Sequence, residues 1–232
     1  MYNNAYPWQI LTKNTNMELN FRLSLKIDKN KLLNESKLII QKFAPKKHFG
    51  PYHSGGWNSI SLISAYGEVY QSEKITGNYE KTEALKIAPY LNDLIDSFNC
   101  EKKRVRIMEL KPGEDIFWHS DADETLDAGN CRLHIPIFVN QETYSQLSHV
   151  NYFWQPGELW YGDFSFPHRV SNRGKKSRYH LVLDLVKNDF VEKMLPESFY
   201  LQKELRSKIR VYAYKLYNWT YRRPLKLINK IK

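Results

Sequence analysis

Cysteine is nearly absent from this chain: two residues in 232, Cys100 and Cys131. With no CxxC spacing and too few thiols for a disulfide framework, the sequence points to a reducing compartment. No apolar run approaches the roughly 20 residues that cross a bilayer. The N-terminus, MYNNAYPWQI, has no charged segment leading into an apolar core, so a cytoplasmic chain without a secretory signal is expected. Internal repeats and low-complexity linkers are missing too. So are a P-loop, a dinucleotide fingerprint, a GxSxG elbow and any Ser/His/Asp order.

What is present is a globular composition, 42% hydrophobic and 14% aromatic. The net charge of +10 is unevenly placed: from Leu205 onward there are nine basic residues and no acidic one, which leaves the body close to neutral. The expected organisation is a single domain over 1–200, with a β core at about 103–187, followed by a basic, aromatic helical tail over 201–232.

Periodicity supplies the elements. ELNFRLSLKID (18–28) alternates strictly and predicts a half-buried strand. KNKLLNESKLIIQKF shifts to helical spacing and stops before Pro45. A second helix is expected over 83–98, kinked or restarted at Pro89. After Cys100, short β-prone runs recur between turn residues: RVRIMELK, CRLHIPIFV, VNYFW, GELWYGD, HRVSN and RYHLVLDLV. Such spacing predicts an antiparallel sandwich or barrel with helices packed on it.

The chemistry gathers in FWHSDADETLDAGNCRLHIP (117–136). His119 and Asp121 are two apart, and on an extended segment such residues point the same way. An HxD pair alone is common in polar loops. His168, 47 residues after Asp121 in YGDFSFPHRVSN, adds a third ligand. Two histidines and one carboxylate with other positions open form the facial triad of non-heme iron(II) sites. Ten residues beyond His168, Arg178 offers a guanidinium fork for a carboxylate. Arg178 and His180 share one strand face, and Arg132 and His134 repeat that pairing. All four would point into one barrel interior, where unpaired cations are costly and an anionic ligand would relieve them.

GGWNSISL, LKPGEDIFWHSD, CRLHIPI, GELWYGDFSFPHRVSN and RYHLVLD occur in one order and spacing. Through them the region from about Gly55 to Val186 resembles the aspartyl/asparaginyl β-hydroxylase family of Fe(II)- and 2-oxoglutarate-dependent dioxygenases, nearest its bacterial cis-proline-hydroxylase-like branch. The resemblance implies a mainly β fold with flanking helices, a double-stranded β-helix (jelly-roll, cupin-like) core. It implies iron held by His119, Asp121 and His168, and Arg178 on the distal carboxylate of 2-oxoglutarate. His134 matches a position near 2-oxoglutarate, Arg132 one near the co-substrate or substrate carboxylate, and Asp163 an acid of the turn before the distal histidine. The implied reaction consumes O2, hydroxylates an amino acid, free or within a peptide, and releases succinate and CO2. Retention of Asp121 argues against a halogenase, which needs that coordination position for chloride. A metal-binding cupin-like module without redox chemistry is the alternative.

Of the other candidates, His48, His53 and His149 read as loop histidines, His53 being the one nearest a site mouth. Trp57, Trp118, Trp154 and Trp160 read as core. Asp123, Glu124 and Asp127 read as a solvated acidic loop. In the tail, Leu205, Ile209, Tyr212, Leu216 and Trp219 recur at helical spacing, predicting a helix that covers the barrel. Its basic residues allow a weak contact with an anionic surface, and no RNA-binding motif accompanies them.

Overall fold

The computed structural model describes residues 5–48 and 52–225, so positions 226–232 of the predicted tail lie outside it. The first half carries α1 (Pro7–Lys13), β1 (Asn20–Leu23), α2 (Lys29–Phe43), β2 (Lys46–Lys47), β3 (Trp57–Ala65) and β4 (Tyr79–Lys81). A 3-10 turn over Glu83–Ile87 leads to α3 (Pro89–Asp96), β5 (Lys102–Leu110) and β6 (Asp115–His119). Next come β7 (Asn130–Phe138), β8 (Thr143–Leu147), β9 (Val150–Tyr152), β10 (Leu159–Gly162), β11 (His168–Asn172) and β12 (Arg178–Val186). The chain closes with α4 (Asp189–Met194), α5 (Glu197–Leu201) and α6 (Lys203–Tyr217).

The strands form two antiparallel sheets. One runs β1–β10–β7–β12–β5–β3–β2, with β4 paired to β3, and the other runs β6–β11–β8–β9. This is a mainly β jelly-roll with flanking helices. Among the described residues no helix is long and apolar enough to cross a membrane.

Side-chain alternation decides what each face of the large sheet does. Val105 and Ile107 on β5, Leu133 and Ile135 on β7, and Leu181 and Leu183 on β12 join one hydrophobic core. The helices cover it, α2 through Leu32, Ile39 and Phe43, and α3 through Leu91 and Ile95. Residues of the opposite parity, including Arg104, Arg106, Arg132, His134 and Arg178, line the barrel interior.

Two elements differ from their sequence patterns. The strand expected over 18–28 is hydrogen-bonded only over Asn20–Leu23, although Leu19, Phe21 and Leu23 are buried as the alternation requires. It is an edge strand whose single partner, β10, ends at Leu159 opposite Leu23, so the ladder has nothing to continue on. The apolar stretch over 83–98 divides at Pro89, which takes the first position of α3, where its missing N–H is not needed.

The tail helix follows its aliphatic pattern only in part: Ile209 and Leu216 pack against a core. Leu205, Tyr212 and Trp219 are exposed, whereas Arg206, Ala213 and Tyr217 are buried. Ala213 and Tyr217 enter a second core with Trp8, Trp118, Phe164 and Phe166. Arg206 and Arg210 turn toward Asp163, a carboxylate with no exposed surface. Burying an unpaired carboxylate is costlier than exposing a leucine, so the charges set the rotation of the helix. Two of the tail's basic residues are thereby withdrawn from its outer face.

Candidate metal centre

His119 closes β6 and His168 opens β11, and the register of these strands sets the two directly opposite each other. Their ring centroids are 4.0 Å apart and both side chains are buried. Each ring donates its Nδ1 proton to a backbone carbonyl two residues earlier, His119 to Phe117 (2.8 Å) and His168 to Phe166 (3.0 Å). That fixes the tautomer and leaves both Nε2 lone pairs free. Asp121 sits just beyond β6, where its N–H donates to the Phe164 carbonyl (2.8 Å). Ligand atoms of His119, Asp121 and His168 all lie within 4.8 Å of one another. Such a donor set, two imidazoles and one carboxylate on one side of an open cavity, suits a divalent transition metal.

The electrostatics keep His168 and Asp121 deprotonated. Burial, with His119 beside it, lowers the His168 pKa to about 3. Burial alone would raise the Asp121 pKa, but Arg132, His119 and His168 outweigh it and hold the carboxyl well below the usual range.

Arg132 lies beside this carboxylate rather than free in the cavity. It is ion-paired with Asp121, with Asp184 through Nε (2.6 Å) and with Glu124 (3.4 Å). Asp184 on β12 stands across from Arg132 on β7 and from Arg104 on β5. It pairs with Arg104 (2.8 Å) and Arg106 (2.7 Å) as well. The anion that balances these three arginines is therefore supplied mainly by the chain itself. Glu124 is buried against Arg104 (2.9 Å), and Asp127 is paired with Arg210 (2.6 Å). Of the predicted solvated acidic loop, Asp123 and Asp127 are exposed, and Glu124 is the one that is buried.

Arg178 behaves differently. It is buried and lines the same cavity as the triad, yet has no ion-pair partner among the described residues. Its Nη2 donates to His180 Nδ1 (3.0 Å), and burial lowers its pKa to about 10. His180 Nδ1 lies 3.4 Å from His134 Nδ1, and His134 Nε2 is buried without a hydrogen-bond partner among the described residues. Burial and Arg178 push both imidazoles well below their ordinary pKa. A lone cation and an orphaned imidazole nitrogen facing one cavity fit a carboxylate ligand. Asp163 is fully buried in the turn before His168.

The cavity measures about 460 Å³. Its lining includes His48 and Trp57, with ring centroids 4.3 Å apart, and Tyr52, stacked on His119 at 5.5 Å. His48, not His53, lines the cavity; His53 lies 3.2 Å from the His48 carbonyl and packs its ring edge-on against Trp57 at 5.7 Å. Trp118 and Trp154 are buried core, as read from the sequence, while Trp57 also lines the cavity. The sequence reading missed Arg104, Arg106 and Asp184. The signal was there, since RVRIM alternates cation and aliphatic as CRLHI does, and Asp184 continues the parity of Arg178 and His180.

The model of the aspartyl/asparaginyl β-hydroxylase family matches residues 14–188. The chain belongs to this family. It is accordingly an iron(II)- and 2-oxoglutarate-dependent oxygenase of the hydroxylase type, with a His119–Asp121–His168 cluster suited to the iron. Among solved structures it resembles the non-heme α-ketoglutarate-dependent epimerase SnoN from nogalamycin biosynthesis, at 7% identity and TM-score 0.50, over 78% of this chain and 80% of that one. It also resembles a prolyl hydroxylase from Trichoplax adhaerens, solved with a hypoxia-inducible-factor peptide, at 13% identity and TM-score 0.49, over 81% and 92%. A Pseudomonas putida prolyl-4-hydroxylase aligns at 10% identity and TM-score 0.45, over 78% and 99%.

Proposed function

We propose that this family member hydroxylates an amino acid, free or within a peptide, with His119, Asp121 and His168 as its iron ligands and Arg178 as the anchor for the distal carboxylate of 2-oxoglutarate. The observation that carries the proposal is Arg178. A buried guanidinium without a counter-ion costs on the order of several kcal/mol, and a dicarboxylate entering the cavity removes that cost with a bidentate contact. His134, through its unpaired Nε2, is the second polar contact offered to the same ligand.

With iron and 2-oxoglutarate bound, the site supplies oxidation of an unactivated C–H bond by O2, with succinate and CO2 as co-products. The chain's own contribution is positioning. Carbonyl acceptors hold both imidazoles in the ligating tautomer, and Arg132 holds Asp121 ionised and oriented. Tyr152, Phe164 and Val182 contribute apolar surface to the same cavity as Arg178. The lining, with Lys74 and Asp123 at 3.8 Å and the rings of Tyr52 and Trp57, presents both charges of an amino-acid group with complements. Family membership supports the same substrate class.

Succinate release with iron(II) and 2-oxoglutarate is the test of the reaction, and it should vanish in His119→Ala and in His168→Ala. Amino acids and lysate peptides should gain the mass of one oxygen. Undiminished turnover in those variants, or oxygen gained only by lipids or sugars, would overturn the assignment.

A further inference from the structure

The metal ligands are held from behind by one turn of chain. Residues 163–167 present three successive carbonyls to the site. Phe164 accepts from the Asp121 N–H (2.8 Å), Ser165 from the Ser120 hydroxyl (2.6 Å), and Phe166 from the His168 Nδ1–H (3.0 Å). The position of that turn therefore fixes two of the three ligands.

What fixes the turn is Asp163 at its start. Its Oδ1 accepts from Ser165 Oγ, and its Oδ2 accepts from Arg210 Nη2 (2.9 Å). The other arm of Arg210, Nη1, donates to Asp127 Oδ2 (2.6 Å), in the loop that follows Asp121. One guanidinium on α6 thus spans the two loops that carry the metal ligands. About two helical turns further on, Tyr217 donates its hydroxyl proton to the carbonyl of Trp118 (2.8 Å), next to His119. Because Asp163 has no exposed surface, its link to Arg210 is not a weak surface pair. Losing it leaves that buried charge with only the more distant Arg206, Nε at 3.9 Å, among the described residues.

We propose that Arg210 is a positioning residue of the metal site, joining the turn before His168 to the loop after Asp121 through Asp163 and Asp127. The C-terminal helix is then part of the site and not an appendage to it. This rests on the assignment of His119, Asp121 and His168 as ligands.

The test is cobalt(II) titration of the full-length, metal-free chain, read by affinity and by its visible absorption, beside thermal unfolding. Arg210→Ala should weaken cobalt binding about tenfold and alter the band, as loss of a group that orients ligands does. Arg210→Lys should restore much of the affinity. Ile209→Ala is the control: it removes packing of the same helix without touching either acid, and should lower the unfolding temperature while leaving affinity within about twofold. If Arg210→Ala does not fold, Asp127→Asn cuts only the outer arm and should still weaken binding. Equal cobalt affinity in wild type and whichever of these two variants folds overturns the proposal alone, as do equal losses in Arg210→Ala and Ile209→Ala. A wild-type chain that binds no cobalt overturns the ligand assignment, and this proposal with it.

Discussion

Asp184 lies across the sheet from Arg132, with Oδ1 2.6 Å from the arginine Nε, and the same arginine reaches Asp121. The Asp121 carboxylate is therefore oriented by a guanidinium that is itself held by a carboxylate on the other sheet from His119 and His168. Asp184 also closes Arg104 and Arg106. Asp184→Asn should destabilise the chain by about 3–5 kcal/mol, the usual result of removing one partner of a buried ionic cluster. Urea unfolding at neutral pH measures it. A loss below about 1 kcal/mol, typical of surface pairs, would show that the cluster is not a buried network.

The same cluster predicts a pH signature. Burial alone would raise the Asp184 pKa, but Arg132, Arg106 and Arg104 hold it well below its unfolded value. Its stabilisation is thus full above about pH 4, the unfolded value, and is lost only as pH falls below that. The stability gap between wild type and Asp184→Asn should be constant from pH 7 to about pH 5. A gap that closes between those values would contradict the assigned pairing.

Histidines act earlier on acidification. Burial, with Arg106 nearby, lowers His48 to about 3, and burial with Arg178 pushes His134 and His180 well below their ordinary value. These groups stay neutral in the folded chain, while the unfolded chain takes up protons below about pH 6.5. Stability should therefore fall with pH through that window, by up to about 1.4 kcal/mol per pH unit for each such histidine. Urea midpoints at pH 7.5 and pH 5.0 test this, and His48→Gln should flatten the difference. Identical midpoints for the wild type would contradict the buried, neutral state of these rings.

The jelly-roll and the triad were legible because both follow from short-range periodicity. Parity along CRLHIP and RYHLVLD separates core from cavity, and His119, Asp121 and His168 stand at strand ends where that parity aims them together. The Arg104–Asp184–Arg132 arrangement was not legible, since it depends on which strands are neighbours, and β5, β12 and β7 are adjacent in space but far apart in sequence. The tail misled for a different reason. Of its expected stripe, Ile209 and Leu216 pack on the core, but Leu205, Tyr212 and Trp219 are exposed. Arg206 and Arg210 instead face Asp163, whose burial no local pattern reveals. Likewise the end of β1 follows from the length of its partner and not from its own alternation.

Truncation after Leu201 should unfold the chain or lower its stability by several kcal/mol. It removes Ala213 and Tyr217 from the second core and leaves Asp163 buried without Arg210, a loss of about 3–5 kcal/mol from the charge alone. Circular dichroism during thermal unfolding measures it. A truncated chain as stable as the full one would make the tail an appendage after all.

The central claim is that Arg178 anchors 2-oxoglutarate beside an iron held by His119, Asp121 and His168, and anaerobic optical titration tests it most directly. Iron(II)-loaded protein titrated with 2-oxoglutarate should develop the weak visible charge-transfer band of the chelate. Arg178→Leu should need at least about tenfold more 2-oxoglutarate for the same band, the loss expected when one charge-assisted contact of about 1.5–3 kcal/mol is removed. Absence of the band in the wild type, or a titration unchanged by Arg178→Leu, would contradict the claim and favour a cupin-like metal site without this co-substrate.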